Sequence, residues 1–224
     1  MGKTEIKEGT QIMNILYVTS SSRGSASYSN RVATKVLDEL QNREDGATVT
    51  VRDLARDPLP HIDDDFVAAT KSAQGAQTER QRALLAQSDA LVDELLAADV
   101  VVIGAPMINF TIPTNLKAWI DFVARAGRTF SYSEAGPKGL VTGKQVIIVA
   151  ARGGNYSGVG SALDFQVPYL KGVLGFIGLT DVTVLEVEGT AYGPEAAEKA
   201  VEAASAKLHG QCDARSAAIA AQAA

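Results

Sequence analysis

The stretch NILYVTSSSRGSASYSN, residues 14–30, decides the architecture. Ile15, Leu16, Tyr17 and Val18 form a short, nearly continuous apolar run, the signature of a strand buried on both faces. The run ends in a Ser/Gly cluster. From Asn30 onward Val32, Val36, Leu37 and Leu40 recur at helical spacing, with Ser27 or Ser29 placed as the N-cap. Strand, serine loop and helix together make the first unit of a parallel α/β protein.

Outward from that unit the same grammar repeats. Thr48 to Asp53 alternates β-branched residues, Val100 to Ala105 and Gln145 to Ala151 are apolar runs of buried-strand type, and a weaker run covers Val182 to Val187. Between them lie helix-patterned segments at Thr78 to Ala97, Pro113 to Arg125, roughly Leu163 to Phe176, and an Ala-rich stretch from Pro194 towards the end. Strands alternating with helices predict a doubly wound α/β fold, a five-stranded parallel sheet with helices on both faces. No repeat or linker divides the chain, so one domain is expected over 13–224. Met13 stands directly before the first apolar run, and residues 1–12 read as a native extension or a cloning remnant.

Composition excludes several classes of function. The 224 residues carry a formal charge of -5 with Lys and Arg scattered, which disfavours a nucleic-acid partner. The one cysteine, Cys212, cannot form an internal disulfide, and two histidines without a Cys or carboxylate cluster do not suggest a metal site. His61, in a loop, and His209, on the last helix, read as surface residues. No apolar run reaches the roughly 18 residues of a membrane span. A reducing cytoplasm fits these features.

In an open parallel sheet, ligands sit outside the carboxyl ends of the strands where strand order reverses, which nominates the loops after the first, third and fourth strands. The first loop holds Ser20, Ser21, Ser22, Ser25, Ser27 and Ser29, and five of these six serines are expected to turn inward beside the amides of the helix terminus. Taken alone, a Ser-rich stretch is a solvated turn with a good cap. Between a buried strand and a helix it suits a phosphate monoester, held by hydroxyls, amides and the positive end of the helix dipole. Neither GxGxxG nor GxxxxGK[ST] occurs, which counts against the usual pyrophosphate cradles. The second loop, Pro106, Met107, Ile108, Asn109 and Phe110, places apolar residues at the mouth of the sheet, either to plug the core or to meet a flat apolar ring. The third, Ala151, Arg152, Gly153 and Gly154, is glycine-rich, for a tight turn or for close approach to a ligand.

The Ser20–Asn30 loop, Ala105 to Phe110, Ala124 to Gly127, Gly139 to Lys144 and Arg152-Gly153-Gly154 closely resemble the bacterial FMN-dependent NADH:quinone oxidoreductases, or azoreductases, over about residues 14–193. Val51 to Ala55, Leu174 to Gly178 and Glu188 to Gly193 agree as well. The resemblance implies a flavodoxin-like fold and a homodimer with its sites at the subunit interface. One FMN per subunit would take electrons from NADH or NADPH and pass them to quinones or azo compounds. It places Ser21, Ser27, Tyr28 and Ser29 on the FMN phosphate, Pro106 to Phe110 along the ring and ribityl chain, and Ala151 to Gly154 on the pyrimidine edge. Asn109, Phe130, Tyr132 and Val173 would meet the substrate. The chain departs from the family pattern at Ile108, where Tyr is common, at Ala151, where Ser is common, and at Val173, where an aromatic wall residue is expected. Because the flavin carries the chemistry, no side-chain nucleophile or base is required. A flavodoxin-type electron carrier, or a flavin-free protein on the same fold, is the competing reading.

Overall fold

A computed structural model of the chain describes residues 12–43, 46–72 and 75–222. Residues 1–11, most of the expected extension, lie outside the described residues, as do the side chains of His209 and Cys212. The strands are β1 (Asn14–Thr19), β2 (Thr48–Asp53), β3 (Val100–Pro106), β4 (Phe130–Ser133), β5 (Gly136–Gly139), β6 (Gln145–Ala151) and β7 (Asp181–Val187). The helices are α1 (Tyr28–Arg43), α2 (Asp64–Lys71), α3 (Glu79–Ala97), α4 (Thr114–Val123), α5 (Val167–Ile177) and α6 (Pro194–Gln222). The main sheet is five-stranded in the order β2-β1-β3-β6-β7 with every pairing parallel. This is the flavodoxin-like order, whose switch point lies between β1 and β3.

Alternation along each strand builds two cores. Ile15, Tyr17, Val100, Val102, Ile147 and Val149 point to one face, where Val32, Ala33 and Val36 of α1 and Val201, Ala204 and Leu208 of α6 cover them. Leu16, Val18, Val101, Ile103, Val146 and Ile148 point to the other, against Leu91, Val92 and Leu95 of α3, Trp119 and Phe122 of α4 and Leu170 and Leu174 of α5. Continuous apolar strands are the consequence of covering both faces.

Two expectations shift. The helix expected from Leu163 begins at Val167, because Val159–Leu163 forms a short 3-10 turn and the Asp164 carboxylate accepts from the amides of Gln166 and Val167. The two-stranded β4–β5 ribbon and α2 were not foreseen. The ribbon abuts the end of α5, where Gly178 caps the helix with φ 108. A Cβ on Gly139 would stand 2.2 Å from the Gly178 amide nitrogen and 2.5 Å from the Ile177 carbonyl carbon. These are backbone atoms and cannot swing away.

Gly139→Ala should therefore force the ribbon off α5 and cost about 1–3 kcal/mol, the range for overpacking. A lowered urea midpoint at constant m would show this; an unchanged midpoint would mean that the ribbon is not seated so closely.

Candidate cofactor-binding site

At the carboxyl rim the serine loop, the loop after β3 and the loop after β6 border one cleft of about 400 Å³. Ser21, Ser27, Tyr28, Pro106, Met107, Ile108, Ala151 and Gly153 line it, together with Arg23, Thr190 and Ala191. Larger concavities exist, including one of about 520 Å³ beside Thr34, Lys35 and Val51. In the cleft at the switch point, backbone amides without a protein acceptor among the described residues, those of Tyr28 and Gly153, converge.

Four of the six loop serines, Ser20, Ser21, Ser27 and Ser29, are buried, while Ser22 and Ser25 face solvent, one fewer inward than expected. The Ser20 hydroxyl is spent on the Gly104 carbonyl at 2.9 Å and braces β1 against β3. Ser27 and Ser29 share a hydrogen bond of 2.9 Å between hydroxyls, so one proton or lone pair on the pair stays free for a ligand. Ser27 also takes the N-cap role, its carbonyl accepting from Arg31 and its hydroxyl from the Asn30 amide. Among the described residues the amides of Tyr28 and Ser29, at the head of the 16-residue α1, donate to no protein group. Such a terminus attracts an anion.

On the opposite wall the Met107 amide donates to the Ala151 carbonyl at 2.7 Å, tying the second loop to the third. Ile108 and Thr111 pair across a two-residue turn whose central residues, Asn109 and Phe110, both have positive φ, 46° and 72°. Asn tolerates that conformation, but Phe does so only when the surroundings impose it. Asn109 and Phe110 stand beside the cleft rather than lining it. In the third loop the carbonyls of Gly153 and Gly154 accept from Ala191 and Gly189, whereas their amides have no protein acceptor among the described residues.

Arg152 departs from the expectation of a cofactor contact. Its amide donates to the Val187 carbonyl, and its side chain, only 1% exposed, turns inward behind the cleft. Nε donates to Gln166 Oε1 at 3.0 Å and Nη1 to Glu188 Oε1 at 3.1 Å; Nη2 stands 3.0 Å from Asp164 without hydrogen-bond alignment. A guanidinium goes where carboxylates can neutralise it: Asp164 and Glu188 stand beside it largely buried, and the more exposed Glu186 approaches to 3.6 Å. Gly154 and the buried Ser29 likewise sit just outside the lining. Phe130, Tyr132 and Val173 do not reach this cleft. Phe130 is 8% exposed and packs on Phe176 at 4.6 Å and Tyr132 at 5.4 Å; Tyr132 is 72% exposed, and Val173 rests on the core. Sequence reasoning missed Thr190 and Ala191, although their place after the last strand of the sheet would have nominated them.

Burial alone would push the Glu188 carboxyl up. Hydrogen bonds from the Ser157 hydroxyl, the Tyr156 amide and Arg152, with the charge of Arg152, outweigh it and hold Glu188 below the usual carboxylate value. Glu188 thereby fastens the Tyr156–Ser157 segment to β7.

Fold and cleft define a doubly wound protein with a cleft at its switch point, and a family model described as flavodoxin-like fold matches residues 13–211. The chain is 53% identical over 196 residues to an FMN-dependent NADH:quinone oxidoreductase of Agrobacterium fabrum, covering 87% of this chain and 96% of the relative. It is 49% identical over 197 residues to one from Mesorhizobium japonicum, at 88% and 94%. Among solved structures, an azoreductase from Bacillus anthracis superposes with a TM-score of 0.81 at 31% identity, over 88% of this chain and 97% of that one. The chain belongs to the FMN-dependent NADH:quinone oxidoreductase family, within the flavodoxin-like fold.

Because the folded-state pKa of Glu188 is depressed, its stabilising contribution is complete above the unfolded carboxylate value and is lost as pH falls through the folded one. Glu188→Gln should therefore be less stable than the wild type near neutral pH, with the gap closing below about pH 4. Parallel urea-midpoint curves at all pH values would contradict the assignment.

Proposed function

We propose that the protein carries electrons from NADH through FMN held in the switch-point cleft to quinones, and that it reduces azo compounds to amines by the same route. The observation that carries this reading is the convergence of polar groups on one cleft: the hydroxyls of Ser21 and Ser27 beside the unpaired α1 amides at one end, and the unpaired amide of Gly153 at the other. The names of the relatives supply the chemistry. Among the described residues no helix is long and apolar enough to cross a membrane, and a nicotinamide-dependent reaction fits the cytoplasm.

The residues fit the cofactor. The serine hydroxyls and the head of α1 hold the phosphate dianion, Pro106, Met107 and Ile108 provide an apolar wall for the ring, and Gly153 lets the backbone approach its pyrimidine edge. FMN bound there would supply two-electron redox chemistry, hydride from the nicotinamide to N5 and then an electron pair to an acceptor, in a ping-pong scheme. The protein's part is to bind, orient and tune. The unpaired Gly153 amide would stabilise negative charge on the pyrimidine edge of a bound flavin, and such a preorganised donor can contribute about 3 kcal/mol. Asn109 and Phe110 border the acceptor space.

A homodimer belongs to the same reading. Ile108, Phe110, Leu163 and Phe165 are large, apolar and exposed, and the Phe165 amide bonds the Phe110 carbonyl, so the patch lies beside the cleft. Monomeric proteins rarely leave such a patch open. In that assembly the exposed Tyr132, backed by the buried Phe130, would be placed to wall the acceptor pocket of the partner subunit.

Purified protein reconstituted with FMN should oxidise NADH in the presence of a quinone, with parallel double-reciprocal lines and with NADPH as the comparison donor. Flavin bound without turnover would make it an electron carrier, and no uptake of FMN would remove the cofactor reading. Ser27→Ala should lose about 1.5–3 kcal/mol of FMN affinity, as for a hydrogen bond to a charged group, while riboflavin, lacking the phosphate, binds as before. Gly153→Val, whose first added carbon would already stand 3.4 Å from Ala191 Cβ, should lower the flavin content of the purified protein. Equal content would contradict the pyrimidine-edge placement. Phe165→Asp should shift the sedimentation coefficient from dimer to monomer.

A further inference from the structure

We propose that Arg152 and Gln166 are positioning residues, a buried latch that holds the strained Asn109–Phe110 turn and the Gly153 corner in the arrangement a ring ligand needs. The inference deepens the FMN reading and rests on it for the identity of the ligand. Its mechanical half stands on this chain alone.

The turn demands an explanation of its own. Two adjacent residues with positive φ between paired flanks suit Asn-Gly, and here Phe110 stands where Gly belongs. Something must outweigh the preference of Phe for negative φ. The Phe165 amide donates to the Phe110 carbonyl at 3.0 Å, and the Thr111 hydroxyl donates back to the Phe165 carbonyl at 3.3 Å. The next residue, Gln166, is fully buried, and its Nε2 donates to the Ala105 carbonyl at 2.9 Å, at the root of the same loop. Residues 165 and 166 therefore grip the loop at its tip and at its base.

Arg152 fixes that grip. A guanidinium has donors only, so Gln166 must turn Oε1 towards Arg152 Nε, which leaves Nε2 for Ala105 and for no other orientation. The same guanidinium stands 3.0 Å from Asp164, whose carboxylate holds the amides of Gln166 and Val167 at the head of α5. Since Arg152 immediately precedes Gly153, one buried group sets both walls of the cleft: the third-strand loop through Gln166, and the glycine corner through its own backbone.

Gln166→Glu isolates the contact. It keeps an acceptor for Arg152, removes the donor to Ala105 and sets a carboxylate oxygen against that carbonyl. In flavin-free protein, hydrogen exchange of the Ile108, Thr111 and Phe165 amides, which fasten the turn, should quicken by about tenfold or more, while core amides such as those of Val102 and Ile148 keep their rates. Adding Phe110→Gly, which removes the need for an imposed φ, should restore protection of Ile108 and Thr111. Dissociation constants for riboflavin and for FMN, from fluorescence quenching, should rise by the same factor, about tenfold, because the phosphate loop is untouched. Unchanged exchange at the turn, exchange that rises equally in the core, or unchanged riboflavin binding in a variant of a flavin-binding wild type would overturn the proposal. If the wild type binds neither flavin, the cofactor reading and the ring-positioning claim fail together, and the exchange data decide the mechanical half by themselves. Gln166→Met, which loses both contacts but keeps volume, serves if Gln166→Glu does not fold.

Discussion

Everything at the carboxyl rim depends on one topological constraint. After β1 the chain returns through α1 on one face of the sheet, and after β3 it returns through α4 on the other, so the two loops must part company above adjacent strands. That divergence leaves a cleft without any residue being selected for it. It also aims the head of α1 into the cleft, since the helix begins where β1 ends. The two buried cores exist to hold these strands parallel and in register. Any substitution that loosens them moves the site.

The second layer of order is polar and costly. Arg152, Gln166 and Asp164 are withdrawn from water beneath the rim, with Glu186 and Glu188 alongside. Buried ion pairs seldom add net stability compared with apolar packing, and removing one partner typically costs about 3–5 kcal/mol. A cluster of this kind is thus poor glue and a good jig. It fixes directions, because donors and acceptors tolerate few arrangements, whereas packed methyl groups tolerate many. The strained turn over it, at about 1–3 kcal/mol for a residue held in a sparsely populated conformation, is the load that the jig carries.

The order of strands and helices was legible because buried parallel strands write themselves as apolar runs, and Ile15–Val18 and Val146–Val149 could be little else. The short β4–β5 ribbon was not, since Phe130–Ser133 is four residues long and Gly136–Gly139 carries no pattern at all. Its place is set by the missing Cβ of Gly139 against Gly178, a tertiary fact. Similarly, Ser21, Ser27 and Gly153 were readable from position after a strand, but the inward turn of Arg152 was not. Nothing local reveals that Asp164, Glu186 and Glu188, distant in sequence, will converge on it. Phe110 hides its meaning too, for its signal is a backbone angle and not a composition.

An acidic chain proposed to take up a dianion stands at first at odds with its own charge of -5. The conflict dissolves on the length scales involved. Surface carboxylates are screened beyond a Debye length of about 8 Å at physiological salt, whereas hydroxyls and amides act within hydrogen-bond distance. Arg23, which lines the cleft and lies 5.8 Å from the Tyr28 ring, is the one full positive charge on that loop, and the other groups there are dipoles. Dipoles of this kind give no long-range pull and work only when correctly aimed. A site of neutral donors has therefore to be rigid where a site of lysines could be loose. That requirement joins the two halves of the rim: hydroxyls locked to one another at the head of α1, and a latched turn opposite them.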